Sequence, residues 1–227
     1  MQRSVPRFVQ LVGLVVLTLA GSAIAGPPLI CHAFDIGAEK SLPWTGSAWN
    51  LSGNENYDTA NLVHDTLALM DTNAPVIVRM ETLRRASLYA RKDPRAAKEL
   101  LTRLHSRAMA GDTSRQNALA LFDFGFLVET YHQWLKDQDP AAGLDGYSLV
   151  KRALTLHGND PEMEFAAALI TLRGPQQAHL EHSRRAIAGA KADSLLARNL
   201  ASRFLGDNKL TVAEALTLKT NFGGGQQ

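Results

Sequence analysis

The stretch GPPLICHAFDIG, residues 26–37, carries the one cysteine of the chain, Cys31, with His32 directly after it. A thiol beside an imidazole invites a redox, nucleophilic or metal reading, and the spacing tests each. Adjacent side chains on an extended segment point to opposite sides, so Cys31 and His32 do not readily grip one metal ion. A catalytic thiol needs an imidazole held within hydrogen-bond reach, usually from a distant part of the chain, and no other histidine is singled out for that role. A haem-attachment site of the C-x-x-C-H type needs a second cysteine where Pro28 stands. Two readings remain: a small apolar side chain tucked beneath its own segment, or a disulfide to another chain that would link a homodimer through Cys31.

Two histidines, His179 and His182 in HLEH, lie three apart and would share one face of a helix. They are the only weak candidates for metal ligation. Glu181 is not placed as in H-E-x-x-H or H-x-x-E-H, and Arg184 and Arg185 follow closely and would disfavour a cation. No phosphate-binding loop, dinucleotide fingerprint or G-x-S-x-G elbow is present, and GDTSRQ (111–116) reads as a turn with a helix cap. Nothing calls for a cofactor or designates a catalytic residue. The recurrent feature is a dibasic pair: Arg84-Arg85, Lys151-Arg152 and Arg184-Arg185. Stacked at one height, these six cations would take the carboxylates of an acidic peptide or chain terminus. The plainer reading is solvated outer-face charges paired with Asp or Glu.

The elements that must position these groups begin after residue 25. Arg3 and Arg7 precede an apolar run of twelve residues, Val9 to Ala20, too short to span a bilayer. Ala23 and Ala25 then form a small-residue cleavage site, so residues 1–25 read as a secretory signal and the chain as exported, periplasmic or extracellular. Without those 25 residues and their two arginines, 202 of the 227 remain, with 22 basic residues against 22 acidic. That balance gives no electrostatic reason to expect nucleic acid or an anionic membrane as partner. One cysteine forms no internal disulfide, so stability must come from packing.

Residues 26–54 hold prolines and glycines but no helical period. Phe34, Trp44 and Trp49 mark them as an extended arm anchored by aromatics on a helical body. From residue 57 onward apolar spacing and breakers predict helices over 57–72, 75–92, 94–110, 114–138, 146–157, 161–173, 175–191, 193–205 and 211–220. Asp93, Asp160 and Asp193 stand where N-caps are wanted. Helix 75–92 places Ile77, Met80, Leu83, Ala86 and Ala90 on one face. ALALFDFGFLV, 118–128, is apolar nearly all round and belongs at the centre of the body. The domain reading is a helical body over 55–220 and a mobile tail over 221–227.

KRALTLHGNDPEMEFAAAL (151–169) aligns without gaps to RRAIAGAKADSLLARNLAS (184–202) at an offset of 33 residues, and RRASLYARKDPRAAKELL (84–101) fits the same frame. A period near 34 is that of one helix–turn–helix repeat. The first of these segments resembles the junction between two tetratricopeptide repeats: Ala153 sits at the small position of a second helix, Asp160-Pro161 matches the turn, and Ala167-Ala168 falls where the next first helix has its leucine and small residue. Gly158, Glu164 and Thr171 depart from that pattern. The resemblance implies an all-α, tetratricopeptide-like solenoid that binds another protein or peptide and is not a catalyst. An irregular all-α bundle is the alternative for the fold. A thiol- or metal-dependent protein centred on Cys31 and His32 is the alternative for the function.

Overall fold

The structure is a computed structural model that describes residues 27–45, 51–70, 73–110 and 115–204. Expectations for the signal segment, Trp49, the helix over 211–220 and the tail 221–227 lie outside the described residues. Eight α-helices are present and no strand occurs among the described residues. They are α1 (Leu62–Met70), α2 (Val76–Ala90), α3 (Pro94–Met109), α4 (Arg115–Trp134), α5 (Gly146–His157), α6 (Pro161–Ile170), α7 (Gln176–Gly189) and α8 (Leu195–Phe204). The fold is all-α, and none of these helices is long and apolar enough to cross a membrane.

Local chemistry explains most boundaries. Asp93 accepts from the amides of Arg95 and Ala96, and Asp160 from those of Glu162 and Met163, each ahead of a proline in the first turn. Asp145 caps α5 in the same way. Gly158 ends α5 in the left-handed conformation (φ 80°), which a residue without Cβ adopts without strain. Three expectations are corrected. Asp193 is not a cap: it lies at φ 61°, outside the extended region a cap needs, and the Ser194 hydroxyl takes the Ala197 amide instead. The first helix begins only at Leu62, after a 3-10 turn over Thr59–Asn61. The fourth stops at Trp134, because Lys136 turns to φ 52° and opens a separate 3-10 turn, Lys136–Gln138.

Helix α4 is the hub. It packs against α2, α3, α5 and α6, and Leu121, Phe122, Phe126, Leu127, Val128 and Tyr131 along it are all buried. Its one buried acid, Asp123, is held by the Arg79 guanidinium of α2 at 2.5 Å, and Arg79 also donates to the Met70 carbonyl at 2.8 Å. Burial pushes the Asp123 carboxyl up to about 7, against the pull of Arg79 and Arg107. Where α4 meets the start of α5 the backbones nearly touch. A Cβ on Gly125 would lie 2.7 Å from the Gly146 carbonyl oxygen and 2.9 Å from the Leu149 Cβ. Both helices therefore need glycine at their crossing.

Successive even-numbered helices touch: α2 with α4, α4 with α6, α6 with α8, and α2 also reaches α6. Helices α3, α5 and α7 each pack between consecutive members of that series. Residues 27–45 lie across the even series without regular secondary structure, burying Leu29, Ile30, Phe34 and Leu42. The single apolar face predicted for α2 is thus too narrow. Fourteen of its 15 residues are buried, because the arm covers the side that periodicity assigns to solvent. Gly125→Ala should lower the thermal midpoint by several degrees, corresponding to about 1–3 kcal/mol of overpacking, in a calorimetric scan; an unchanged midpoint would mean that α4 and α5 do not cross here.

Candidate functional site: the groove beneath the arm

The surface under the arm is built from polar side chains aimed at main-chain atoms. Glu81 of α2 is fully buried. Its Oε2 accepts from the Phe34 amide at 2.9 Å and from Arg84 Nε at 2.9 Å, and its Oε1 accepts from Arg85 Nε at 2.7 Å. Three donors on one carboxylate offset much of the cost of burying it. Asn199 of α8 grips the backbone of one residue at both ends: Oδ1 accepts the Asp35 amide at 2.9 Å, and Nδ2 donates to the Asp35 carbonyl at 2.8 Å. Arg203, one turn further along α8, donates to the carbonyls of Pro28 and His32.

The same pattern continues along the arm. Gln133 of α4 accepts the Leu29 amide, Arg85 donates to the Leu42 carbonyl, and the Tyr89 hydroxyl donates to that of Pro43. Between these polar grips the Phe34 ring inserts edge-on against Phe126 of α4 and Phe165 of α6, with centroids 6.4 and 6.2 Å away. The Arg203 guanidinium lies over the Phe34 ring at 4.2 Å. The surface thus reads the arm by its backbone, first at the turn over residues 28–32 and then at Phe34 and Asp35, adds one aromatic socket, and holds Asp35 at its rim through Arg198 at 2.8 Å.

The sequence-predicted residues divide sharply. Phe34 is in the core, and Trp44 is half-buried against Tyr89 with the Arg84 and Arg85 guanidinium groups 5.1 and 5.6 Å from its ring centroid. Cys31 is half-buried in the turn that opens the arm, where its amide bonds to the Pro27 carbonyl. Burial, then Arg203 and Arg84, push the His32 imidazole below its ordinary range, so it is neutral at pH 7. Burial and the neighbouring Arg84 cation also push Arg203 down to about 9, which leaves it charged there.

The three dibasic pairs do not form one row. Arg84 is fully buried and Arg85 partly so, because α2 turns them under the arm. Lys151 and Arg152 on α5, and Arg184 and Arg185 on α7, are exposed. Lys151 lies over the Tyr147 ring at 4.7 Å, and Arg185 pairs with Glu164 at 3.3 Å and with Glu181. His182 is a tie between helices. Its Nδ1 is 2.5 Å from Glu164 of α6 and its Nε2 is 2.8 Å from the Tyr147 hydroxyl of α5. His179 Nδ1 is bonded to the Ala168 carbonyl. Among the described residues no group of three or more His, Cys, Asp or Glu side chains comes together as a metal site.

Glu81, Gln133, Asn199 and Arg203 were not signalled as site residues. One cue was present: Glu81, Arg84 and Arg85 stand at i, i+3 and i+4, where one carboxylate can face two guanidinium groups on a single helix. No protein-family model, curated protein or solved structure matches this chain.

Two substitutions measure how firmly the groove holds the arm. Phe34→Ala should cost about 3–5 kcal/mol, and Asn199→Ala about 1–3 kcal/mol by stranding the Asp35 peptide group, in urea unfolding followed by far-UV circular dichroism. Losses within about 0.5 kcal/mol for both would mean that the arm lies loosely on the body.

Proposed function

We propose that this chain is an exported helical-repeat scaffold that binds another protein through an extended segment of it, and that the groove beneath the arm is the binding surface. In this reading α2, α4, α6 and α8 are the inner helices of a short tetratricopeptide-like solenoid, and α3, α5 and α7 are the outer ones. The sequential contacts within the even series, and the odd helices wedged between its members, support that arrangement. Stacked helix pairs expose a continuous concave surface, the usual place for such a fold to bind an extended chain.

The single observation that carries the function is the way the arm is held. Side chains from α2, α4 and α8 bond to the backbone of residues 28–43, while the Phe34 ring, the Asp35 carboxylate and the Ser41 hydroxyl make side-chain contacts. Backbone recognition of this kind does not depend on the identity of most ligand residues. The arm therefore acts as the groove's own occupant, and a partner segment with an aromatic residue followed by an acid would make the same contacts in its place.

The test uses a fluorescein-labelled peptide of residues 27–40 added to the full chain. Phe34→Ala loosens the tethered arm but leaves every groove residue in place. That variant should bind the peptide at least tenfold more tightly than the unaltered chain, measured by fluorescence anisotropy. A peptide carrying the same Phe34→Ala change should bind neither. If the variant keeps its helical circular dichroism and takes up no peptide, the groove belongs only to the fold and the proposal fails.

A further inference from the structure

We propose that the guanidinium groups of Arg84 and Arg203, beneath the arm, form a binding site for a carboxylate group. This inference rests on hydrogen-bond supply and charge under the arm and does not depend on the peptide-binding reading.

Arg84 is fully buried and spends only Nε, on Glu81; its Nη1 and Nη2 have no hydrogen-bond partner. Arg203 is 8% exposed and spends Nη1 and Nη2 on the arm's carbonyls, while its Nε has no partner. Trp44, whose ring lies 5.1 Å from the Arg84 guanidinium, has a buried Nε1 that is also without a partner. Each of these atoms is a donor. Buried polar groups are almost always paired, so a cluster of donors lacking acceptors points to an acceptor-rich ligand.

Charge leads to the same conclusion. Arg84 and the partly buried Arg85 bond to one carboxylate, Glu81, whose oxygens already accept from three donors, and the Arg203 cation lies close enough to feel both Arg84 and Glu81. Asp35, the next acid along the arm, faces outward and is paired with the exposed Arg198. A buried cation without a counter-charge is costly, and one further anion would balance the cluster.

Geometry selects the kind of anion. The two Nη atoms of Arg84 form the end-on fork that matches the two oxygens of a carboxylate, and a spherical halide cannot use both donors equally well. An aromatic ring lies beside each cation, Trp44 at 5.1 Å from the Arg84 guanidinium and Phe34 at 4.2 Å from that of Arg203. The carboxylate could belong to a small free acid or to a peptide, as an aspartyl side chain.

The experiment follows thermal unfolding of the full chain with sodium acetate, acetyl-aspartyl amide and sodium chloride at matched ionic strength. A carboxylate should raise the midpoint saturably by roughly 2–4 °C, and chloride should not. A response to acetate equal to that of the aspartyl amide assigns the site to free acids; a clearly larger response to the amide assigns it to a peptide side chain. Arg84→Lys, which keeps the charge and loses the fork, should abolish the response. Should that variant not fold, saturable broadening of the carbon-13 acetate resonance by the unaltered chain gives an independent readout. Equal shifts with acetate and chloride, or no saturable effect of either carboxylate, would overturn the site.

Discussion

A single buried carboxylate sets the relation between arm and body. Glu81 sits on α2 with no exposure, and water cannot stabilise its charge there. Two arginines from its own helix and one amide from the arm take that role. The arrangement is reciprocal. Without the Phe34 amide, the carboxylate loses one of its three donors; without Glu81, Arg84 and Arg85 become cations under an apolar cover. Breaking a buried ion pair by removing one partner costs about 3–5 kcal/mol, more than most single contacts in a domain contribute. The position of the arm is in this sense fixed by electrostatics first and by the Phe34 socket second. The grips of Asn199, Arg203 and Gln133 then set its path across α4 and α8.

A second buried pair, Arg79 with Asp123, stands two residues earlier on the same helix and ties α2 to the hub. Helix α2 thus carries two ionic attachments, one to the inside of the body and one to the arm. This is why an element of mixed polarity is almost wholly buried. On the far side, α5, α6 and α7 are joined by the run Tyr147, His182 and Glu164, where the imidazole uses both nitrogens. The helices cohere through apolar packing, and these polar ties fix which faces meet.

Much of the secondary structure was legible in the sequence because its signals are local. Asp93-Pro94 and Asp160-Pro161 announce helix starts by cap chemistry that needs no tertiary partner. The all-round apolar character of 118–128 located the hub. What was not legible depends on residues far apart in the chain. Asn199 meets Asp35 across 164 residues, and Arg203 meets Pro28 across 175. Periodicity also assigned one side of α2 to solvent, since no local pattern says that an arm will cover it. The dibasic repeat misled for a related reason. Identical pairs fall on helices with different surroundings, so Arg84 becomes a core residue while Arg184 stays in water.

The arm is part of the folded body and is held at Phe34 and Asp35. Native-state amide hydrogen exchange, read by mass spectrometry on fragments that cover residues 27–45, tests it most directly. The Phe34 and Asp35 amides, bonded to Glu81 and Asn199, should exchange as slowly as the amides of α2, while those of the exposed turn Gly37–Lys40 should exchange quickly. Uniformly fast exchange through Phe34 and Asp35, at the rate of an unstructured peptide, would contradict it.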